Sequence, residues 1–122
     1  MEFSESLKKN RDFQHVYKFG RSAANRYLVL YQTENSLGKN RLGISVSKKV
    51  GNSVVRHRLT RLIRESYRLH ETEFSCGYDM VFIARPGAKM CTYREVESAL
   101  LHLGKIQNLT VAGREHEGNE QR

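Results

Sequence analysis

Apolar residues recur along this chain in two periods, near 3.6 and 2, and the switches between them mark its elements. Asn10 suits a helix N-cap and Gly20 a helix stop, so Arg11 to Phe19 reads as a short helix. Tyr27 to Thr33 is rich in β-branched and aromatic residues and predicts a strand, with Tyr27, Val29 and Tyr31 facing away from Leu28 and Leu30. After the turn-rich Asn35 to Asn40, Leu42, Ile44 and Val46 alternate with Gly43, Ser45 and Ser47, the pattern of a half-buried strand. A loop, Lys48 to Asn52, follows, and Asn52 or Ser53 caps the longest helix, about Val54 to His70. On that helix Val55, Leu59, Leu62, Ser66 and Leu69 form one stripe, widened by Ile63, while His57, Arg61, Arg64 and Arg68 fall on the opposite side. Tyr78 to Ala84 is nearly all apolar, which predicts a central strand covered on both faces and ended by Arg85-Pro86-Gly87. Thr92-Tyr93-Arg94-Glu95 matches a capping box opening a helix that buries Val96, Ala99, Leu100 and Leu103 and stops at Gly104. The order helix, strand, strand, helix, strand, helix predicts a sheet with helices packed on it, an α/β or α+β sandwich. Lys105 to Arg122 offers only Ile106, Leu109 and Val111 among polar residues, so the expected division is a domain over 1–104 and a mobile polar tail over 105–122.

Composition narrows the class. A chain of 122 residues with 39% apolar and 28% charged residues suits one globular domain. No stretch approaches the ~20 apolar residues of a membrane helix, and Met1-Glu2-Phe3-Ser4-Glu5 lacks the basic-then-apolar pattern of an export signal. Cys76 and Cys91 make no disulfide framework, and a reduced, cytoplasmic chain without a membrane partner is the expectation. The net charge of +8 points to a polyanion. Its placement says more: residues 1–71 hold 15 Lys and Arg against 6 Asp and Glu, a net of +9, while residues 72–122 hold 6 against 7, a net of −1. From Lys48 to Arg68 there are seven cations (Lys48, Lys49, Arg56, Arg58, Arg61, Arg64, Arg68) and one anion, Glu65. A solvated helix face normally mixes signs, so this run favours binding.

Four kinds of chemistry compete for these residues. A metal site is rejected, because the cysteines stand alone and His15, His57, His70, His102 and His116 show no ligand spacing. A nucleoside triphosphate loop at Ser47 to Asn52 lacks the required glycines and the Gly-Lys-Ser/Thr end, although cations beside a helix N-terminus do suit a backbone phosphate. A metal-free ribonuclease built on His57 or His70 lacks an evident second acid–base partner. A nucleic-acid surface needs cations for phosphates and aromatic faces for unpaired bases. Both are present: Phe13 and Tyr17 lie four residues apart on one face of the first helix, and Tyr31 lies on the strand face away from the leucines. Core packing is the competing role for these rings, about equally so for Phe13 alone.

The run Arg41-Leu42-Gly43-Ile44-Ser45-Val46-Ser47-Lys48-Lys49-Val50-Gly51-Asn52-Ser53-Val54-Val55-Arg56-His57-Arg58-Leu59-Thr60-Arg61-Leu62-Ile63-Arg64-Glu65 resembles the signature of the bacterial ribonuclease P protein subunit. Leu7 to Gly20 and Tyr78 to Arg85 resemble the family's leading helix and last strand, so the likeness spans about residues 7–104. It implies a single-domain α+β sandwich of αβββαβα type with a left-handed crossover, a fold shared with a domain of a small-subunit ribosomal protein. It also implies assembly with a large catalytic RNA that removes the 5′ leader of precursor transfer RNA. Hydrolysis would fall to Mg2+ held by that RNA, with no protein nucleophile and no further protein partner required. Under the resemblance Phe13, Tyr17 and Tyr31 contact the leader, and Lys48, Lys49, Arg56, His57, Arg58, Arg61, Arg64 and Arg68 contact the RNA subunit. The chain departs from the family pattern at His57, where the middle of an Arg-Asn-Arg motif is usually Asn, and at Thr60, commonly Lys. A ribosomal or other structural RNA-binding protein is the alternative from another class.

Overall fold

The computed structural model describes residues 1–110 of the chain. Five strands and three helices follow in order: β1 (Ser4–Ser6), α1 (Asn10–Phe19), β2 (Arg21–Ala24), β3 (Leu28–Glu34), β4 (Asn40–Ser45), α2 (Ser53–His70), β5 (Tyr78–Ala84) and α3 (Tyr93–Ile106). Short 3₁₀ turns sit at Glu71–Glu73 and Pro86–Ala88. From α1 onward this is the αβββαβα order of an α+β sandwich, with β1 added in front. The strands form one sheet in the order β1-β4-β5-β3-β2. β4 and β5 run parallel, so α2 must cross over between them, while β5–β3 and β3–β2 are antiparallel.

β5 is the centre of the sheet, as its apolar run predicts, and Met80 and Phe82 on one face and Val81 on the other are fully buried. The first face meets both long helices. Leu28 and Leu30 of β3, Leu42 of β4, and Met80 and Phe82 of β5 pack against Leu59, Ile63 and Tyr67 of α2 and Val96, Leu100 and Leu103 of α3. The second face meets only α1, where Val16 joins Leu7 and Val81 in a small separate cluster.

Local signals differ in how well they matched. Asn52 caps α2, its side chain accepting from the Val55 amide at 3.0 Å, and Thr92 and Glu95 form the full capping box of α3. Asn10 does not cap α1: it is the first helical residue, and the cap, Lys9, makes no side-chain bond. Val46 lies beyond the end of β4. The buried stripe of α2 is rotated from the expected one, since Tyr67 is buried and Leu69 is 54% exposed. A tyrosine is tolerated there because its hydroxyl is paired with Ser4 Oγ at 2.8 Å and receives a bond from Asn40 Nδ2 at 3.3 Å.

The expected boundary at Gly104 is also corrected. α3 runs on through Lys105 and Ile106, and a Cβ on Gly104 would stand 2.9 Å from the Phe74 ring, so this glycine admits a core aromatic and does not end the helix. Leu109 is 1% exposed, its carbonyl accepts from the Ser75 amide, and Thr110 pairs with Phe74. The rest of the expected tail, residues 111–122, lies outside the described residues.

Candidate nucleic-acid interface

α1 carries Phe13, Val16 and Tyr17 toward the sheet. Val16 is the anchor, fully buried, while Phe13 and Tyr17 remain half-buried at the rim. The sheet beneath is shaped by small residues. A Cβ on Gly43 would come within 2.7 Å of two Phe13 ring carbons, so glycine at this position lets the ring lie on β4. The Phe13 and Tyr17 centroids are 6.4 Å apart, and Tyr17 meets Tyr31 of β3 edge-to-face at 5.2 Å. The Tyr17 hydroxyl is bonded to Ser45 on the same sheet face, and burial, partly opposed by that bond, pushes its pKa up. Val29 and Ile83 pair across β3 and β5 as a half-buried apolar floor. On the edge strand, Ser22 stands opposite Tyr31 and Ala24 opposite Val29, both exposed and short, which leaves the flank beside Tyr31 open. The result is a shallow cleft whose walls are ring faces and edges.

The structure brings Phe13, Tyr17 and Tyr31 together as the spacing suggests, but Tyr27 does not join them. It precedes β3, packs against the main core, and donates its hydroxyl to Glu95 Oε2 at 3.0 Å. Alternation alone could not show this bend. Gly43 and Ser45 were the residues missed. Their signal was present in the Gly43-Ile44-Ser45 alternation, which places both on the face opposite Ile44.

The cations lie next to this cleft in the chain. Lys48 and Lys49 are exposed in the loop after β4, three and four residues past Ser45, and Val50 beside them is buried as an anchor. His57, Arg61, Arg64 and Arg68 are all exposed along one side of α2, as its periodicity requires. They are not equivalent. Arg68 is paired with Glu65 one turn away, and this bond holds the Glu65 carboxyl below its ordinary range. Arg58 is half-buried and donates to the Cys91 carbonyl, while Arg56 has a buried Nε with no partner among the described residues. Lys48, Lys49, Arg61 and Arg64 remain in no ion pair among the described residues. By contrast Arg41 is consumed internally: its Nε and Nη2 reach the two oxygens of Asp79 at 2.8 and 2.6 Å, and Asp12 lies at 3.6 Å.

No group of three or more His, Cys, Asp or Glu side chains among the described residues is placed to hold a metal ion, and no helix among them is long and apolar enough to cross a membrane. The arrangement suits non-covalent capture of a flexible polyanion. The rings suit unpaired bases, and the exposed cations suit phosphates.

Comparison with known proteins agrees with this geometry. The family described as Ribonuclease P matches residues 1–107. The ribonuclease P protein component of Lachnoclostridium phytofermentans is 58% identical over 106 residues, covering 87% of this chain and 91% of the relative. That of Clostridioides difficile is 44% identical over 114 residues, covering 91% and 100%. Among solved structures, a Staphylococcus aureus RNase P protein superposes with a TM-score of 0.80 at 42% identity, covering 86% of this chain and 96% of that one. The RNase P protein from Thermotoga maritima gives 0.76 at 33%, covering 81% and 94%. With a family match over nearly its whole described length and a fold shared with solved members, this chain belongs to the ribonuclease P protein component family.

Proposed function

We propose that the chain works as the protein half of a ribonuclease P holoenzyme in which RNA performs the cleavage. α2 and the loop before it hold the RNA subunit, and the cleft under α1 holds the 5′ leader of precursor transfer RNA. The observation that carries this reading is the half-exposed Phe13–Tyr17–Tyr31 group, with Phe13 seated over Gly43, on the chain that also carries exposed Lys48 and Lys49 a few residues past β4. Rings at this exposure offer stacking worth ~1–3 kcal/mol per base without selecting a base. Arginines of α2 supply bidentate phosphate contacts that fix orientation as well as charge. Affinity for precursor over product then follows, because only the precursor has a leader to stack.

The Mg2+ required for hydrolysis is assigned to the RNA, as the resemblance to the family implies. The chain's own contribution is position and charge. His57 stands on the exposed side of α2 and donates one hydrogen bond when neutral and two when protonated, replacing the Asn of the motif as a polar contact. The test is reconstitution at low magnesium. Precursor cleavage is expected when the protein and a bacterial ribonuclease P RNA are combined, and neither component alone should match it. Cleavage by the protein alone, or no enhancement by it, contradicts the reading.

A further inference from the structure

The rear of the sequence, residues 72–122, carries a net charge of −1, yet folding gathers three of its cations with Arg26 of the front part at one corner. The β2–β3 turn carries Arg26, the segment after β5 carries Arg85 and Lys89, and the first turn of α3 carries Arg94, all exposed. These pieces are locked together. The Arg85 amide donates to the Tyr27 carbonyl at 2.9 Å, its guanidinium donates to the Asn25 carbonyl at 2.6 Å, and a Cβ on Gly87 would lie 3.3 Å from the Arg26 carbonyl. Between the turn and α3 runs an open groove of about 430 Å³ with Arg26 and Arg94 in its lining. Among the described residues none of Arg26, Arg85, Lys89 or Arg94 is in an ion pair. The nearest carboxylate of the groove, Glu95, is engaged by the Tyr27 hydroxyl and the Thr92 amide.

Two features say what this corner would bind. Its rings are engaged: Tyr27 is tied to Glu95 with the Arg26 guanidinium over its face, 5.3 Å from the centroid, and the exposed His102 imidazole is bonded to Asn25 Nδ2 at 3.2 Å. Cations outnumber free ring faces here, so the fitting ligand is a backbone of phosphates held rigid by RNA structure. The corner also joins the motif helix. Arg58 of α2 reaches the Cys91 carbonyl just before α3, and both Arg58 and Arg26 act electrostatically on the Cys91 thiol, whose pKa is raised chiefly by burial and then by Glu95. We infer that Arg26, Arg85, Lys89 and Arg94 form a second phosphate-binding contact to the RNA subunit, continuous with α2 through Arg58 and separate from the leader cleft. This inference rests on the proposed assembly with a catalytic RNA.

The test compares three double variants in binding a bacterial ribonuclease P RNA across a salt titration. With Arg26→Gln/Arg94→Gln, affinity should fall roughly tenfold and the slope of log affinity against log salt should drop by about 1.5, as for two lost phosphate contacts. Arg26→Lys/Arg94→Lys should restore the slope, and the melting temperature should hold in both. Wild-type affinity and slope in Arg26→Gln/Arg94→Gln, while Arg61→Gln/Arg64→Gln loses both, overturns the second contact and leaves the assembly reading intact. Loss in neither pair overturns the assembly reading itself. Intact RNA-subunit binding with weakened precursor binding to the holoenzyme overturns the assignment to the RNA subunit.

Discussion

The two faces of the sheet are built to different ends. On one, α2 and α3 seal a core of Leu28, Leu30, Met80, Phe82, Leu59, Ile63 and Leu100, all fully buried. On the other, a ten-residue helix covers part of the sheet, and the buried apolar cluster beneath it is small: Leu7, Val16 and Val81. The rings around them stop half in water. Stability concentrated on the sealed face lets the open face keep aromatic surface that a core would otherwise absorb. The same division runs through the arginines: Arg41 neutralises Asp79 within the fold, and Arg61 and Arg64 are exposed and in no ion pair among the described residues.

Substitutions should separate the faces. Phe82→Ala on the sealed face is expected to cost about 3–5 kcal/mol of unfolding free energy in urea. Tyr31→Ala on the open face, where the ring is half-exposed, should cost about 1 kcal/mol. Equal losses would mean that the open face is core after all.

A smaller effect tests the seam between the two sealing helices. His70, at the end of α2, bonds Glu97 of α3 through Nε2 at 2.9 Å, and its Nδ1 meets Glu73. The Glu97 bond, opposed by burial and helped by Glu73, raises the His70 pKa above its ordinary 6.5. A raised folded-state pKa means the bond's contribution is complete below the ordinary value and is lost as pH climbs through the raised one. Urea unfolding should therefore show a modest fall in stability as pH climbs past the ordinary 6.5 and through the raised His70 value, and Glu97→Gln should flatten it. An equal fall in the variant would remove His70 as its source.

Periodicity made the sealed face legible: α2, β5 and α3 emerge from the sequence with caps and stops within a few residues. What stayed hidden depended on distant partners. β1 has no apolar alternation and exists because it pairs with β4. β2, Arg21–Ala24, has no strand-favouring composition and exists as the edge partner of β3. Tyr67 reads as a misfit in the apolar stripe until Ser4 and Asn40 are seen to satisfy its hydroxyl. Leu109 looks isolated until Ser75 and Phe74 come to meet it. On the open face, Phe13, Tyr17 and Tyr31 followed from spacing, whereas the depth of the cleft depends on Gly43, whose role requires knowing which ring lies over it.

The most direct measurement is the ratio of holoenzyme affinities for precursor and mature transfer RNA, taken in wild type and in Phe13→Ala/Tyr31→Ala. The wild type should prefer the precursor, and trimming the leader to a few nucleotides should erase that preference. The double variant should lose roughly tenfold or more of it, as expected for lost base stacking, with unchanged affinity for the RNA subunit. A double variant that keeps the full preference, or a wild type indifferent to leader length, would contradict the assignment of the open face to the leader.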